Sequence, residues 1–505
     1  IRLIAFDFAP KGYLICDGSK LDKNEYIDLY RVVGDAFNTD NSDSTKFQIP
    51  DLRDRFVLHP ENNTGIGKQE GKDTIKLSMN QMPEHNHNTK IEVDNTNGGE
   101  EPNGLPSNNF LNNQAGVFSA DASENTFLAG ISEDNVGNAT DVKIKNAHVK
   151  MMYVIRYSIN DNLDSFIGEI RIWPNAKTND AISGIPKGWK LCNGETLQTS
   201  RYGALNSIIG YKYGGSIARN EFKLPNFTNK FASGVKESSE VGETGGNTSI
   251  RIELGNLPNH NHNVKLAVNN SSDSTPHVQI PNNAFINSNA GVFSTEISSV
   301  ANLGGVSQEN RGGWEGLDIT NSNLGLNYII CTEGAHNLNT KDRVLGETIL
   351  FAGFNIHEAR SCNGASLPVS QYQSLYSLLN NKYGGNAVSF KLPNLINKIP
   401  LGTSQPNEVG IAEGANSIKL TPENLPSHNH NVKLAASNSG YGHKVQIPNG
   451  ILNKDAGMFS TKETENTFLA GIKESGFAGE AINIRNPFLA INYLIVTNGK
   501  FPSKD

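Results

Sequence analysis

The chain has 505 residues, 36% of them hydrophobic, with 49 glycines, 12 histidines and a formal net charge of −7 at pH 7. That length accommodates several cores of ordinary domain size, and an acidic balance without any Lys/Arg run argues against a nucleic-acid surface. No apolar stretch approaches the roughly 18 residues of a membrane-spanning helix, so no direct membrane insertion is expected, and the modest apolar content suits loop-rich β structure better than helical bundles.

The first element is an opening strand, IRLIAF at 1–6, which recurs as GEIRIW at 168–173 and GETILF at 346–351. The chain begins at Ile1 inside this strand, so further residues are expected before it. A second strand ends LICDGS at 14–19, KLCNGE at 190–195 and RSCNGA at 360–365. An amphipathic stretch follows at 23–34, 199–210 and 369–380. Its apolar residues recur at helical spacing, as in Tyr372, Leu375, Leu378 and Leu379, and predict one helix of about three turns per copy. Two copies then turn through paired glycines, YKYGGS at 211–216 and NKYGGN at 381–386, where the first has the longer DAFNTDNSDS at 35–44.

All three copies converge on FQIPDLRDRF at 47–56, FKLPNFTNKF at 222–231 and FKLPNLINKI at 390–399. Pro50, Pro225 and Pro393 cannot donate to a ladder, which predicts an edge position or a shaped loop. The charged side chains of the first copy's version (Asp51, Arg53, Asp54, Arg55) read as a solvated, salt-bridged loop.

Next comes His-Asn-His, three times: MPEHNHN at 82–88, LPNHNHN at 257–263 and LPSHNHN at 425–431. The spacing from His85 to His260 is 175 residues and from His260 to His428 it is 168, the size of one domain rather than of a solenoid unit. Asn- and Ser-rich insertions occupy about 92–146, 267–320 and 435–486. Loops on a rigid scaffold usually carry binding, so these are the candidate contact surfaces. Their Phe118, Phe293 and Phe459 read as core plugs. Each copy closes with an apolar strand, MMYVIRY at 151–157, LNYIICT at 326–332 and INYLIVT at 491–497. The expected domains are 1–160, 164–333 and 343–505.

Cys16, Cys192 and Cys362 hold one position in three copies, and Cys331 has no counterpart. No repeat contains a pair at matching positions, so a disulfide framework is not expected, and the cysteines read as buried or free thiols.

On an extended segment residues i and i+2 point to one face, so each His-x-His presents two imidazoles side by side. Neutral imidazole is the commonest transition-metal ligand. If three domains packed about a pseudo-threefold axis, His85, His87, His260, His262, His428 and His430 would form an octahedral site, which suits Zn, Fe, Ni or Cu and disfavours a tetrahedral structural zinc. The alternative is that each pair caps a turn through hydrogen bonds. His59, His148, His277, His336, His357 and His443 read as structural or surface residues. Contiguous His-Asn-His on an acidic chain does not match a nuclease site, where the residues are dispersed over a hairpin and helix. No Gly-x-Ser-x-Gly elbow, Walker loop, HExxH or repeated carboxylate pair points to an enzyme.

The order GEIRIW, PKGWKLCNGETL, SRYGALNSIIGYKYGG, FKLPNFTNKF, VGETGG and LPNHNHN across 168–263 resembles the phage tail collar domain, a family also found in bacterial microcystin-dependent proteins. Copy three departs from it with NIHEARSCNG at 355–364, and copy one lacks the Tyr-Gly-Gly turn. The resemblance implies a small mixed β domain of fibre-like or adhesive proteins, without catalysis. It also implies a metal on the axis, because similar trimeric fibres bring one His-x-His from each chain together.

The expectation is therefore a mainly β chain with one short helix per repeat, three tandem collar-type domains forming an intrachain pseudo-trimer. One transition-metal ion (Zn, Fe or Ni) would sit in an octahedral histidine site. The chain would be a non-enzymatic structural and adhesion protein, extracellular on a virion tail or bacterial surface, with its insertions contacting a cell-surface receptor or an adhesin or fibre protein. The alternative is a secreted bacterial accessory subunit that caps or encircles an adhesin filament.

Overall fold

The computed structural model describes residues 1–40, 42–60, 65–82, 140–157, 165–174, 185–253, 315–333, 343–353, 359–425 and 481–503. It also describes the histidines of the three His-Asn-His motifs, a few isolated residues, and short paired strands within the insertions.

Each repeat builds the same three-stranded unit. The closing strands are His148–Arg156, Asn327–Cys331 and Phe488–Val496, and each lies between its own opening and second strands. The opening strands Arg2–Ile4, Glu169–Trp173 and Glu347–Phe351 run antiparallel to them, with Leu3 opposite Tyr153, Ile172 opposite Tyr328 and Leu350 opposite Tyr493. Strands Tyr13–Ile15, Trp189–Leu191 and Ala359–Ser361 cover the other edge. The closing strands are apolar almost throughout because both faces are covered; in the third repeat every residue from Leu489 to Val496 is buried.

The closing strands also join the repeats. His148–Arg156 pairs in parallel with Ile399–Gly402 of repeat 3. Asn323–Gly325, just before the second closing strand, pairs with Phe56–Leu58 of repeat 1. Phe488–Val496 pairs with Phe231–Gly234 of repeat 2. Each repeat thus lends its closing strand to its predecessor, and the third links back through the first. One tyrosine hydroxyl seals each exchange: Tyr153 donates to the Pro400 carbonyl at 3.2 Å, Tyr328 to Val57 at 3.4 Å and Tyr493 to Ala232 at 3.0 Å. Phe56, Phe231 and Ile399, the first residues of the three strands that receive these partners, pack into one buried cluster.

Where the opening strands meet, a buried charge network replaces apolar packing. Arg343, wholly buried, reaches Glu169 at 2.5 Å and Glu347 at 3.0 Å, while Arg2 and Arg171 approach the same carboxylates. Burial alone would push the Glu169 carboxyl up, but Arg171 and Arg343 outweigh it and hold the group below its ordinary range.

The helices are shorter than the periodicity predicts. They span Ile27–Val33, Gly203–Ile209 and Gln373–Leu379, two turns each. Tyr26, Tyr202 and Tyr372 stand at the N-caps in non-helical conformation, so Tyr372 precedes the helix it was assigned to. In repeat 1 the preceding residues are held instead in a turn by Asp22, whose Oδ1 accepts the N–H groups of Asn24 and Glu25. Gly34, Gly210 and Asn380 stop the helices at positive φ, which these residue types tolerate.

The proline-containing element behaves as expected. Strands Lys46–Gln48, Glu221–Lys223 and Ser389–Lys391 pair antiparallel with Lys20–Asp22, Thr196–Gln198 and Ser366–Pro368 across the helix, and Pro50, Pro225 and Pro393 fall beyond the ladder. All four cysteines are buried and free.

The insertions contain short strands among their described residues, and these pair between repeats. Phe118–Ser119 pairs with Ile451–Asn453, Phe293–Ser294 with Phe110–Leu111, and Phe459–Ser460 with Phe285–Asn287. Lys90–Asp94 meets strands of both other repeats. The burial expected of the Phe118, Phe293 and Phe459 side chains lies outside the described residues, as do His277, His336, His357 and His443.

Candidate metal centre

Residues that alternate along the segment before each closing strand are buried together. In repeat 1 these are Val142, Ile144 and Asn146, all buried. The asparagines form a cyclic ring. The Asn146 N–H donates to Asn321 Oδ1 at 2.7 Å, the Asn321 N–H to Asn486 Oδ1 at 2.8 Å, and the Asn486 N–H to Asn146 Oδ1 at 2.9 Å. Their Nδ2 groups donate to the carbonyls of Ile484, Ile144 and Ile319. A buried amide with these hydrogen bonds made fixes the relative position of three strands at once.

An apolar layer adjoins the ring. Ile144, Ile319 and Ile484 pack with Val142, Leu317 and Ile482, with Leu77, Ile252 and Leu420, and with Met82, Leu257 and Leu425. The last trio stands three residues before the histidine pairs and anchors them. A short turn precedes each anchor, closed by a side-chain amide: Gln81 accepts the Ser78 N–H, Asn256 that of Glu253 and Asn424 that of Thr421, each at 2.9 Å.

The structure brings all six predicted histidines into one cluster. Their exposures are 3% and 0% for His85 and His87, 6% and 3% for His260 and His262, and 3% and 0% for His428 and His430. The first histidines of the motifs form a triangle with ring centres 5.3–5.5 Å apart. The second histidines form another, with sides of 4.9 Å. Between the layers each first histidine lies 5.3–5.7 Å from its own partner and 4.6–4.8 Å from the second histidine of another repeat. These separations describe a trigonal antiprism, with His85 opposite His262, His87 opposite His428, and His260 opposite His430. Every ring pair meets edge-on, at 68–81°.

The donor set fits a metal. Ligand atoms of His85, His87, His428 and His430 lie within 4.8 Å of one another, as do those of His87, His260, His262 and His428. A metal–imidazole bond of about 2.1 Å puts opposite nitrogens of an octahedron about 4.2 Å apart, inside that limit. Neutral imidazoles suit transition metals and not the oxygen-seeking Ca²⁺ or Mg²⁺. The buried groups can therefore hold a metal ion.

The matches to known proteins bear on the scaffold. The phage tail collar domain model matches residues 1–57, 168–232 and 346–400. Three separate stretches of the chain, one in each repeat, are thus similar to the phage tail collar domain. A search of curated proteins finds no match. The collar matches end at Val57, Ala232 and Pro400, whose carbonyls receive the tyrosines of the exchanged strands. The histidines lie beyond the matched spans. The collar domain is a structural phage tail family without known enzymatic activity. Among the described residues, no helix is long and apolar enough to cross a membrane.

Two sets of residues, both beyond the matched spans, escaped the sequence reading: the asparagine ring and the sealing tyrosines. The signal for the ring was present as Ile-x-Asn at 144–146, 319–321 and 484–486, but single asparagines do not stand out beside Asn-rich insertions. His59 and His148, read as structural or surface residues, are both buried.

Proposed function

We propose that the chain is a non-enzymatic structural and attachment component of a phage tail or tail-like assembly. Its three collar domains, with bounds at 1–160, 164–333 and 343–505, form an intrachain pseudo-trimer around one transition-metal ion. The observation that carries this reading is the buried antiprism of His85, His87, His260, His262, His428 and His430, to which every repeat contributes two rings. A bound ion of the Zn, Fe or Ni class would cross-link the three repeats, so its binding free energy becomes assembly free energy. The chain's own residues do the rest. The asparagine ring sets the three strands in register, the apolar layer excludes water from one side, and the exchanged closing strands hold the repeats in cyclic order. The insertions, which share backbone ladders, then present a surface to a cell-surface receptor or to an adhesin or fibre protein. On this reading the protein works outside the cell, on a virion tail or a bacterial surface.

The test is metal content before and after exhaustive chelation, with melting followed in parallel. Retention of a transition metal by the purified chain, and a lower melting temperature after its removal, would support the reading. A chain that binds no transition metal at all would contradict it.

A further inference from the structure

Repeat 1 contains a cleft of about 210 Å³ whose lining includes neither a histidine of the cluster nor a residue of the insertion. Phe37 and Thr39 line it from the DAFNTDNSDS tract, Gln48 from the strand that follows, Asp51 and Arg53 from the loop beyond, and Gln69 from the segment after Phe56–Leu58.

Its polar groups are held in place. Thr39 donates to Gln48 Oε1 through both its N–H, at 2.6 Å, and its hydroxyl, at 2.9 Å, while Gln48 Nε2 donates to the Gly18 carbonyl at 3.1 Å. Arg53 forks onto Asp51, with Nε and one terminal nitrogen each 2.9 Å from a carboxylate oxygen. A guanidinium has five N–H donors, so that fork leaves three facing away from Asp51, and Gln48 keeps one amide hydrogen. The cleft is therefore lined by fixed polar groups beside an exposed edge of Phe37, which is otherwise buried. It has no excess of positive charge, because Asp51, Asp17 and Asp54 oppose Arg53 and its neighbour Arg55.

The same place in the other repeats has different chemistry. Lys223 and Lys391 replace Gln48, Asn226 and Asn394 replace Asp51, and Thr228 and Ile396 replace Arg53. A Tyr-Gly-Gly turn stands where Phe37 and Thr39 are.

The geometry points to a saccharide subsite in repeat 1 that takes one neutral sugar ring. Preorganised polar groups match hydroxyl and acetamide oxygens, and the Phe37 edge gives the C–H groups of a pyranose a small apolar contact. The charge balance disfavours phosphate. Pockets for drug-sized ligands run to roughly 300–1,000 Å³, so this smaller cleft holds one residue of a glycan rather than a chain. This inference uses the attachment reading only as the source of the glycan. It needs neither the metal nor the insertions, so either conclusion can fail alone.

The test titrates the intact chain with neutral hexoses, heptoses and N-acetylhexosamines, and separately with inorganic phosphate and Ca²⁺. The comparison is the Gln48→Lys/Arg53→Thr variant, which carries the residues the same fold holds in repeat 2. The expected result is saturable saccharide binding at one site per chain, weakened about tenfold or more in the variant as fixed hydrogen bonds are lost, with the melting temperature unchanged. If the double variant melts lower, Arg53→Thr alone, at a half-exposed side chain, supports the same comparison. No saccharide binding across the panel would overturn the inference, as would equal binding by the variant. Phosphate or Ca²⁺ binding that the variant abolishes, with no saccharide binding, would reassign the cleft to an ion.

Discussion

Removing one imidazole from the antiprism leaves five donors around a buried hole. His262→Ala is therefore expected to lower bound metal per chain, to lower the melting temperature, and to make melting indifferent to a chelator. Metal analysis and calorimetry with and without chelator check this; wild-type metal content in the variant would contradict it. The asparagine ring gives a second expectation. Asn321→Ala strips the acceptor from the Asn146 N–H and the donor from the Ile144 carbonyl, both buried, and should cost about 2–4 kcal/mol by denaturant titration. His59 gives a third. Its Nδ1 accepts the Tyr328 N–H at 2.8 Å, and burial, with Lys230 adding to it, lowers its pKa from 6.5 to about 4. The unfolded chain thus binds the proton first, so stability is full above about pH 6.5 and falls as the pH drops toward 4, by about 3 kcal/mol. His59→Gln should flatten that part of the pH–stability curve relative to wild type, since the other histidines contribute equally to both proteins. At this scale the histidine pairs were legible because i, i+2 spacing and threefold recurrence point to one face and one place. The asparagines were not, because a single polar residue carries no periodicity and its partners lie more than 160 residues away.

The closing strand was legible as an apolar run, but its double allegiance was not. Alternation and apolarity report that both faces are covered; they do not say that half the ladder belongs to another repeat. The junction leaves a mark in the glycines. A Cβ on Gly234 would come within 2.1 Å of the Leu395 carbonyl oxygen, because the two backbones pass side by side at the join of repeats 2 and 3. Gly234→Ala should destabilise the fold by about 1–3 kcal/mol through forced separation. Gly203→Ala, at the start of the second helix with open space around it, should be neutral or stabilising by up to about 1 kcal/mol. Thermal melts of the pair check both, and equal effects would argue against the close approach. The helices show the opposite limit. Apolar spacing marked the right segment but overran its start, since Tyr26, Tyr202 and Tyr372 fit a helical stripe while standing at the N-cap position in non-helical conformation.

For the whole molecule, the count of repeats and their collar character followed from landmarks that recur in the same order. The cyclic exchange and the interleaved insertions did not, because nothing local encodes which copy supplies a strand. Cyclic exchange closes the arrangement at three, so one chain has all the partners its borrowed strands require. The same closure gathers two imidazoles from each repeat, and on the proposed reading a single ion would be the cross-link among them. The most direct test of that claim is a native mass spectrum of the purified chain. The account predicts a monomer of 54.8 kDa carrying one transition-metal ion. A metal-free monomer that melts identically with and without a chelator would contradict it.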